Sequence, residues 1–159
     1  MSQNPHRLIA IELDPTLAQN ASLEMLQDRA LAIADLLEAS HFALGNGLPG
    51  PYRLNITSHD QRLHLAIAAQ DGTHLYSIGL SLTPFRRVVK DYFQICDSYN
   101  MAVKASNPQA IEAIDMARRA IHNEGSEILL ARLQGKVAMD FDTARRLFTL
   151  VCALMSRTH

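Results

Sequence analysis

The chain has 159 residues, 48% of them apolar and 19% charged, with a formal net charge of −1 at pH 7. That is the length of one domain able to bury a core without staples, and the composition excludes a disordered or collagen-like chain. The near-zero charge gives no general pull toward nucleic acid or an anionic membrane.

The start, Met1 to Arg7, is polar, and the apolar run Leu8 to Leu13 is too short for a signal-peptide core. No stretch has the length of a bilayer span, so the sequence predicts a cytoplasmic protein with no membrane partner. Cys96 and Cys152 fall in apolar helical patterns. Two such cysteines suit reduced core residues better than a disulfide framework.

Residues 7–13 read as a strand with Ile9, Ile11 and Leu13 on one face and Leu8, Ala10 and Glu12 on the other. Both faces are mostly apolar, which suits a position inside a sheet, and Asp14-Pro15 ends it. Residues 22–40 read as a helix, with Asn20 or Ser22 as cap and a stripe of Leu23, Leu26, Ala30, Ile33 and Leu37. Residues 45–51, rich in Gly and Pro, read as a loop.

A three-strand meander follows. Tyr52, Leu54 and Ile56, then Leu63, Leu65 and Ile67, then Tyr76, Ile78 and Leu80 each alternate with polar or small residues. A tight turn at Asp71-Gly72 pairs Ile67 with Tyr76, Leu65 with Ile78 and Leu63 with Leu80. A four-residue loop at Ser58 to Gln61 would pair Ile56 with Leu63 and Leu54 with Leu65. Both turns put the apolar set on one face, and a slip by one residue would expose all of it. The other face carries Arg53, Asn55, His64, Ala66, Ala68, Ser77, Gly79 and Ser81. It suits solvent, or close approach by a ligand or a second chain.

From Thr83-Pro84 the chain reads as helix, with Thr83 as cap and Pro at the first helical position. Phe85, Val89, Tyr92, Cys96, Tyr99 and Val103 form its stripe, widened by Val88, Ile95 and Ala102. Asn107-Pro108 starts the next helix, with Ile111, Ile114, Ala117 and Ile121 on one face; Gly125-Ser126 should interrupt it. Residues 136–139 suit an extended segment. Asp140 or Asp142 caps a last helix that turns Ala144, Leu147, Phe148, Val151 and Leu154 inward. A meander with one helix in residues 1–82 and a helical half in 83–159, without alternating βα units, predicts a single α+β domain.

Four segments carry a family resemblance: Gly50 to Leu54, Leu80 to Phe93, Ile111 to Ser126 ending His-Asn-Glu-Gly-Ser, and Asp140 to Cys152. With these, the chain resembles the small bacterial group called uncharacterised protein family 0262 over almost its whole length. Ala117 and Ala120 depart from the pattern, which is expected to carry Gly there. If those glycines serve close packing, the helix would pack slightly wider here. The resemblance implies a bacterial cytoplasmic protein and brings no activity, cofactor or catalytic residue.

Two constellations could carry chemistry. Glu112, Asp115, Arg119 and His122 share a helical face, with Arg118 beside them and Glu124 just beyond. A His near carboxylates and arginines suits acid–base work, so His122, Asp115 and Glu124 are the catalytic candidates; the plainer reading is a solvated face laced with ion pairs. The arginines would repel a metal ion, and no metal or cofactor motif is present. The second constellation is three arginine pairs, Arg86-Arg87, Arg118-Arg119 and Arg145-Arg146, which call for bound anions or internal acids. Internal pairing is favoured, and Arg145 or Arg146 should pair with Asp91, Asp115 or Glu124. His59, His64 and His74 do not converge in this register.

The charge is uneven, −4 over residues 1–82 and +3 over 83–159. The basic excess is small, which disfavours nucleic acid. The sequence therefore favours a binding or regulatory module acting as a homo-oligomer or with a protein partner. The alternative is a small enzyme on an anionic substrate, with Arg118 or Arg119 as anion site and His122 as acid or base.

Overall fold

The computed structural model describes residues 4–14 and 23–155. The order is β1 (Leu8–Leu13), α1 (Leu23–Glu38), β2 (Phe42–Leu44), β3 (Tyr52–His59), β4 (Arg62–Ala69), β5 (His74–Ser81), α2 (Arg86–Lys104), α3 (Pro108–Leu133), β6 (Val137–Met139) and α4 (Phe141–Met155). This is an α+β fold, with a helical second half. Asn20 and Ser22, the expected caps of α1, lie outside the described residues.

Four strands form one sheet in the order β1-β3-β4-β5. The second hairpin has the predicted register, with Leu63 opposite Leu80, Leu65 opposite Ile78 and Ile67 opposite Tyr76. The first is displaced by two residues: Ile56 faces Leu65, and Ser58 faces Leu63. The reason is the turn. Asp60 and Gln61 both take positive φ, 53° and 64°, so two residues close what was expected to be a four-residue loop. A shift of two keeps every side chain on its predicted face. Tyr52, Leu54, Ile56, Leu63, Leu65, Ile67, Ile78 and Leu80 are all buried.

β1 is an edge strand, not an interior one, and runs parallel to β3. One crossover through α1 therefore precedes the meander, an element the sequence reading lacked. An irregularity at Ile9 pairs Leu8 with Tyr52 but Ala10 with Arg53. The extra residue turns Leu8 to the core face with Ile11 and Leu13, and explains why the strand is apolar on both sides. A second, two-stranded sheet joins β2 to β6, with Phe42 opposite Met139 and Leu44 opposite Val137. The short β2 was not expected.

α1 buries Met25, Ala32 and Leu36. The expected stripe is wrong in phase: Leu23 is 71% exposed, and Leu37 is exposed too. α2 follows a single 3-10 turn at Thr83–Phe85, and Thr83 gives it no side-chain cap. Phe85, Val88, Val89 and Ala102 are buried as expected, but Val103 is exposed. Asn107 caps α3 by accepting from the Ala110 amide at 3.2 Å.

α3 runs unbroken through Gly125-Ser126. Gly125 is a packing residue: a Cβ there would fall within 3.0 Å of the Phe148 ring of α4, closer than side chains tolerate. Ser126 donates to the His122 carbonyl within the helix. Ala120 is exposed, so its methyl faces solvent and widens no helix contact. Asp140 caps α4, accepting from the Thr143 amide at 2.9 Å. α4 buries most of its length, from Thr143 and Ala144 to Met155, leaves Arg145 exposed, and joins the core face of the sheet in one apolar cluster. The opposite sheet face is bare. Ala10, Arg53, Asn55, Ala66, Ala68 and His74 line a hollow of about 250 Å³ there.

Candidate helical cleft

α4 sits between α1 and α3 and presents its few polar side chains to the gap. Asp142, Arg145, Arg146 and Thr149 of α4, His122 of α3 and Asp35 of α1 line a hollow of about 250 Å³. Beside it lies a second hollow of about 210 Å³, lined by Asp28, Leu31, Ala32, Asp35, Tyr92, Arg118, Arg146 and Thr149. The two share Asp35, Arg146 and Thr149, so they form one bipartite cleft.

His122 is packed edge-on against Phe148 at 5.1 Å and Tyr92 at 5.5 Å between ring centroids. Its Nε2 lies 2.9 Å from the Thr149 hydroxyl oxygen. That hydroxyl donates back to the Arg145 carbonyl at 3.3 Å. The oxygen is then free to accept from Nε2–H, which fixes the proton on Nε2. Nδ1 is left buried without a partner among the described residues. Burial, then the positive charges of Arg145 and Arg118, lower the imidazole's pKa to about 4. The ring is neutral at physiological pH.

The arginines divide into engaged and free. Arg118 and Arg119 both hydrogen-bond Asp115, the latter at 2.6 Å. Desolvation pulls the Asp115 carboxyl upward, but the bonds from Arg119 and Arg118 outweigh it and hold the pKa low. Arg118 also stacks over Tyr99 at 4.6 Å. Arg87 reaches Glu124 at 2.6 Å and Asp91 at 3.4 Å, and Arg86 donates to the Gln61 side chain at 2.6 Å. Arg146 lies 3.6 Å from Asp35, at about one-third exposure of each side chain. Asp35 therefore stands where Asp91, Asp115 or Glu124 was expected. The reason is topological: α4 packs beside α1, which brings Asp35 across the gap. Among the described residues, the Arg145 side chain has no ion pair or hydrogen bond.

The structure thus brings His122 together with Arg145 and Arg146, and keeps Arg118 at the edge of the adjoining hollow. It does not bring Asp115 or Glu124 into the same hollow as His122. Asp28, Asp35, Tyr92 and Thr149 went unrecognised in the sequence. Thr149 follows Arg145 by one helical turn, a spacing that could have drawn attention to it. The other three come from helices far away in the chain and carry no local signal.

Elsewhere, Tyr99, Val103, Ser106, Pro108, Ile111, Glu112, Asp115 and Arg118 line an open hollow of about 670 Å³ at the α2–α3 turn. His59 pairs with its neighbour Asp60, and His74 bonds Ser77. Among the described residues no cluster of three or more His, Cys, Asp or Glu could hold a metal ion. None of the described helices is long and apolar enough to cross a membrane.

Fold and cleft together define an α+β protein with a polar, helix-walled hollow. The profile of the Uncharacterised protein family (UPF0262) matches residues 5–157. The chain belongs to this family. It is similar to a UPF0262 protein of Rhizobium etli (strain CIAT 652), 52% identical over 99% of both chains. A UPF0262 protein of Mesorhizobium japonicum is 51% identical over 96% of this chain and 94% of its own. One of Hyphomonas neptunium is 49% identical over 94% and 92%. No solved structure matches the chain.

Proposed function

We propose that this protein is a small-ligand binding module that takes an anion, a carboxylate or phosphate, into the cleft between α1, α3 and α4. The observation that carries this reading is Arg145, a guanidinium without a partner among the described residues, on the wall of a hollow beside a neutral, half-buried His122. Asp142 lines the same hollow, but among the described residues it forms no ion pair with Arg145. Arg145 offers a planar fork of donors suited to an oxyanion. Binding is favoured over acid–base catalysis because a base with a pKa of about 4 is weak at neutral pH. Of the other anion candidates, Arg118 and Arg119 already pair with Asp115, Arg87 with Glu124 and Arg146 with Asp35, and Arg86 bonds Gln61.

The test is thermal melting with added phosphate at constant ionic strength, on the parent, Arg145→Ala and a distant control, Arg132→Ala. Ligand at about ten times its Kd stabilises by about 1.4 kcal/mol, a rise of about 3–6 °C in this size class. The parent and the control should show the rise and Arg145→Ala should not. An equal rise in all three would overturn the reading.

A second reading has its own observation. Edge strand β5 contains neither a charged residue nor proline, the usual guards of an exposed edge. Antiparallel pairing of β5 with its copy would close a two-fold dimer. Solution mass tests it: the parent should be a dimer at micromolar concentration, and Ser77→Lys a monomer. A monomeric parent would sink it.

A further inference from the structure

We infer that the ligand of this cleft is a zwitterion: an anionic head held by Arg145, a short aliphatic spacer, and an ammonium group held by Asp28. The inference rests on the anion-binding reading above and names its ligand class.

Each hollow has a charged side chain that the other lacks and that pairs with nothing among the described residues. Arg145 belongs to the first and Asp28 to the second. Between them the charges cancel, since Asp35 faces Arg146 at 3.6 Å and both line both hollows. Arg118 also lines the second hollow, but Asp115 already neutralises it. Among the described residues, Asp28 has no hydrogen bond or ion pair. Its carboxyl is pushed upward first by desolvation and then by neighbouring Glu24, with Arg118 opposing. A cation at that spot would oppose both causes by favouring the ionised carboxylate.

The wall between the two ends suits a spacer. Leu31 and Ala32 lie on α1 between Asp28 and Asp35, and both line the second hollow. Leu31 is 63% exposed, an apolar side chain left over the opening. Asp28 and Asp35 are two helical turns apart, about 10 Å along the axis. A simple anion such as inorganic phosphate would fill only the Arg145 end. A ligand with both charges would satisfy both ends and lay its methylenes on Leu31. The Tyr92 ring, which lines the same hollow, offers a further surface for an ammonium group.

The experiment is calorimetric titration of the full chain with two phosphate monoesters that differ only at the tail, butyl phosphate and aminobutyl phosphate, at fixed pH and ionic strength. The aminated ester should bind about fivefold tighter, the upper gain of one partly screened ion pair. Asp28→Asn should reduce that preference to less than about twofold. Arg145→Ala should weaken both esters. Equal binding of the two esters by the parent would overturn the zwitterion inference and leave the anion site standing. A preference that survives Asp28→Asn would overturn the assignment to Asp28. Failure of both esters to bind would remove the anion site itself, and this inference with it.

Discussion

Gly125→Ala is the substitution whose cost can be worked most closely from the structure. The added methyl would press into the Phe148 ring. Phe148 cannot retreat freely, because it is fully buried and packs against Phe85, Tyr92 and His122. Overpacking a close-packed core costs about 1–3 kcal/mol, and a rigid ring held on three sides belongs at the upper end. Replacing Gly by Ala inside a helix returns about 1 kcal/mol through propensity. The net loss is about 2 kcal/mol, a fall in Tm of about 4–8 °C. Urea unfolding should show a lower midpoint with an unchanged slope. Phe148→Leu makes room for the methyl, so the double variant should be more stable than the sum of the single losses by about 1 kcal/mol. If Gly125 were instead a helix breaker, Ala would raise the melting point and the two losses would simply add. That result would refute the packing argument.

Other expectations follow from particular contacts. Replacing Asp60-Gln61 by Asn-Gly removes a strained left-handed residue from a two-residue turn; it should stabilise by about 1 kcal/mol and raise Tm by about 2–4 °C. His122 binds a proton more weakly folded, with its pKa lowered to about 4, than unfolded, near 6.5. Its contribution to stability is therefore present above pH 6.5 and is lost as pH falls through 4, by about 3 kcal/mol in all. Urea midpoints for His122→Gln should lack this part of the acid slope; an identical slope would contradict the lowered pKa. Burial raises both the Cys96 and the Cys152 thiols, so both should react slowly with a thiol reagent at neutral pH until the chain unfolds. Arg146→Ala should cost no more than about 1 kcal/mol by melting, the value of a partly exposed pair, and Arg145→Ala nothing measurable.

The fold was legible where a local rule had one answer. Asp71-Gly72 specifies a tight hairpin, and its register followed residue by residue. Asp60-Gln61 makes an equally tight turn without glycine, so its type could not be read, and the register moved by two. In α1, leucine, isoleucine and alanine occur on several faces, and periodicity alone chose the stripe containing the exposed Leu23 and Leu37. Gly125 looked like punctuation because its reason, the Phe148 ring, lies 23 positions later on another helix. The cleft was half legible for a similar cause. His122, Arg145 and Arg146 stood out as residue types. Their partners Asp35, Thr149 and Tyr92 are ordinary residues until α1, α2 and α4 pack together.

The central claim is that an anion enters the hollow where Arg145 and His122 meet. The direct measurement is the titration of the His122 imidazole by NMR, from neutral pH downward, with and without sulfate, which keeps its charge over that range. Without sulfate the ring should titrate near 4, held down by burial, Arg145 and Arg118. A sulfate bound at Arg145 should raise that midpoint by about one unit, because an opposite charge nearby favours the imidazolium. In Arg145→Ala the sulfate-free midpoint should already be higher and sulfate should no longer move it. A parent whose His122 midpoint is the same with and without sulfate would contradict the account.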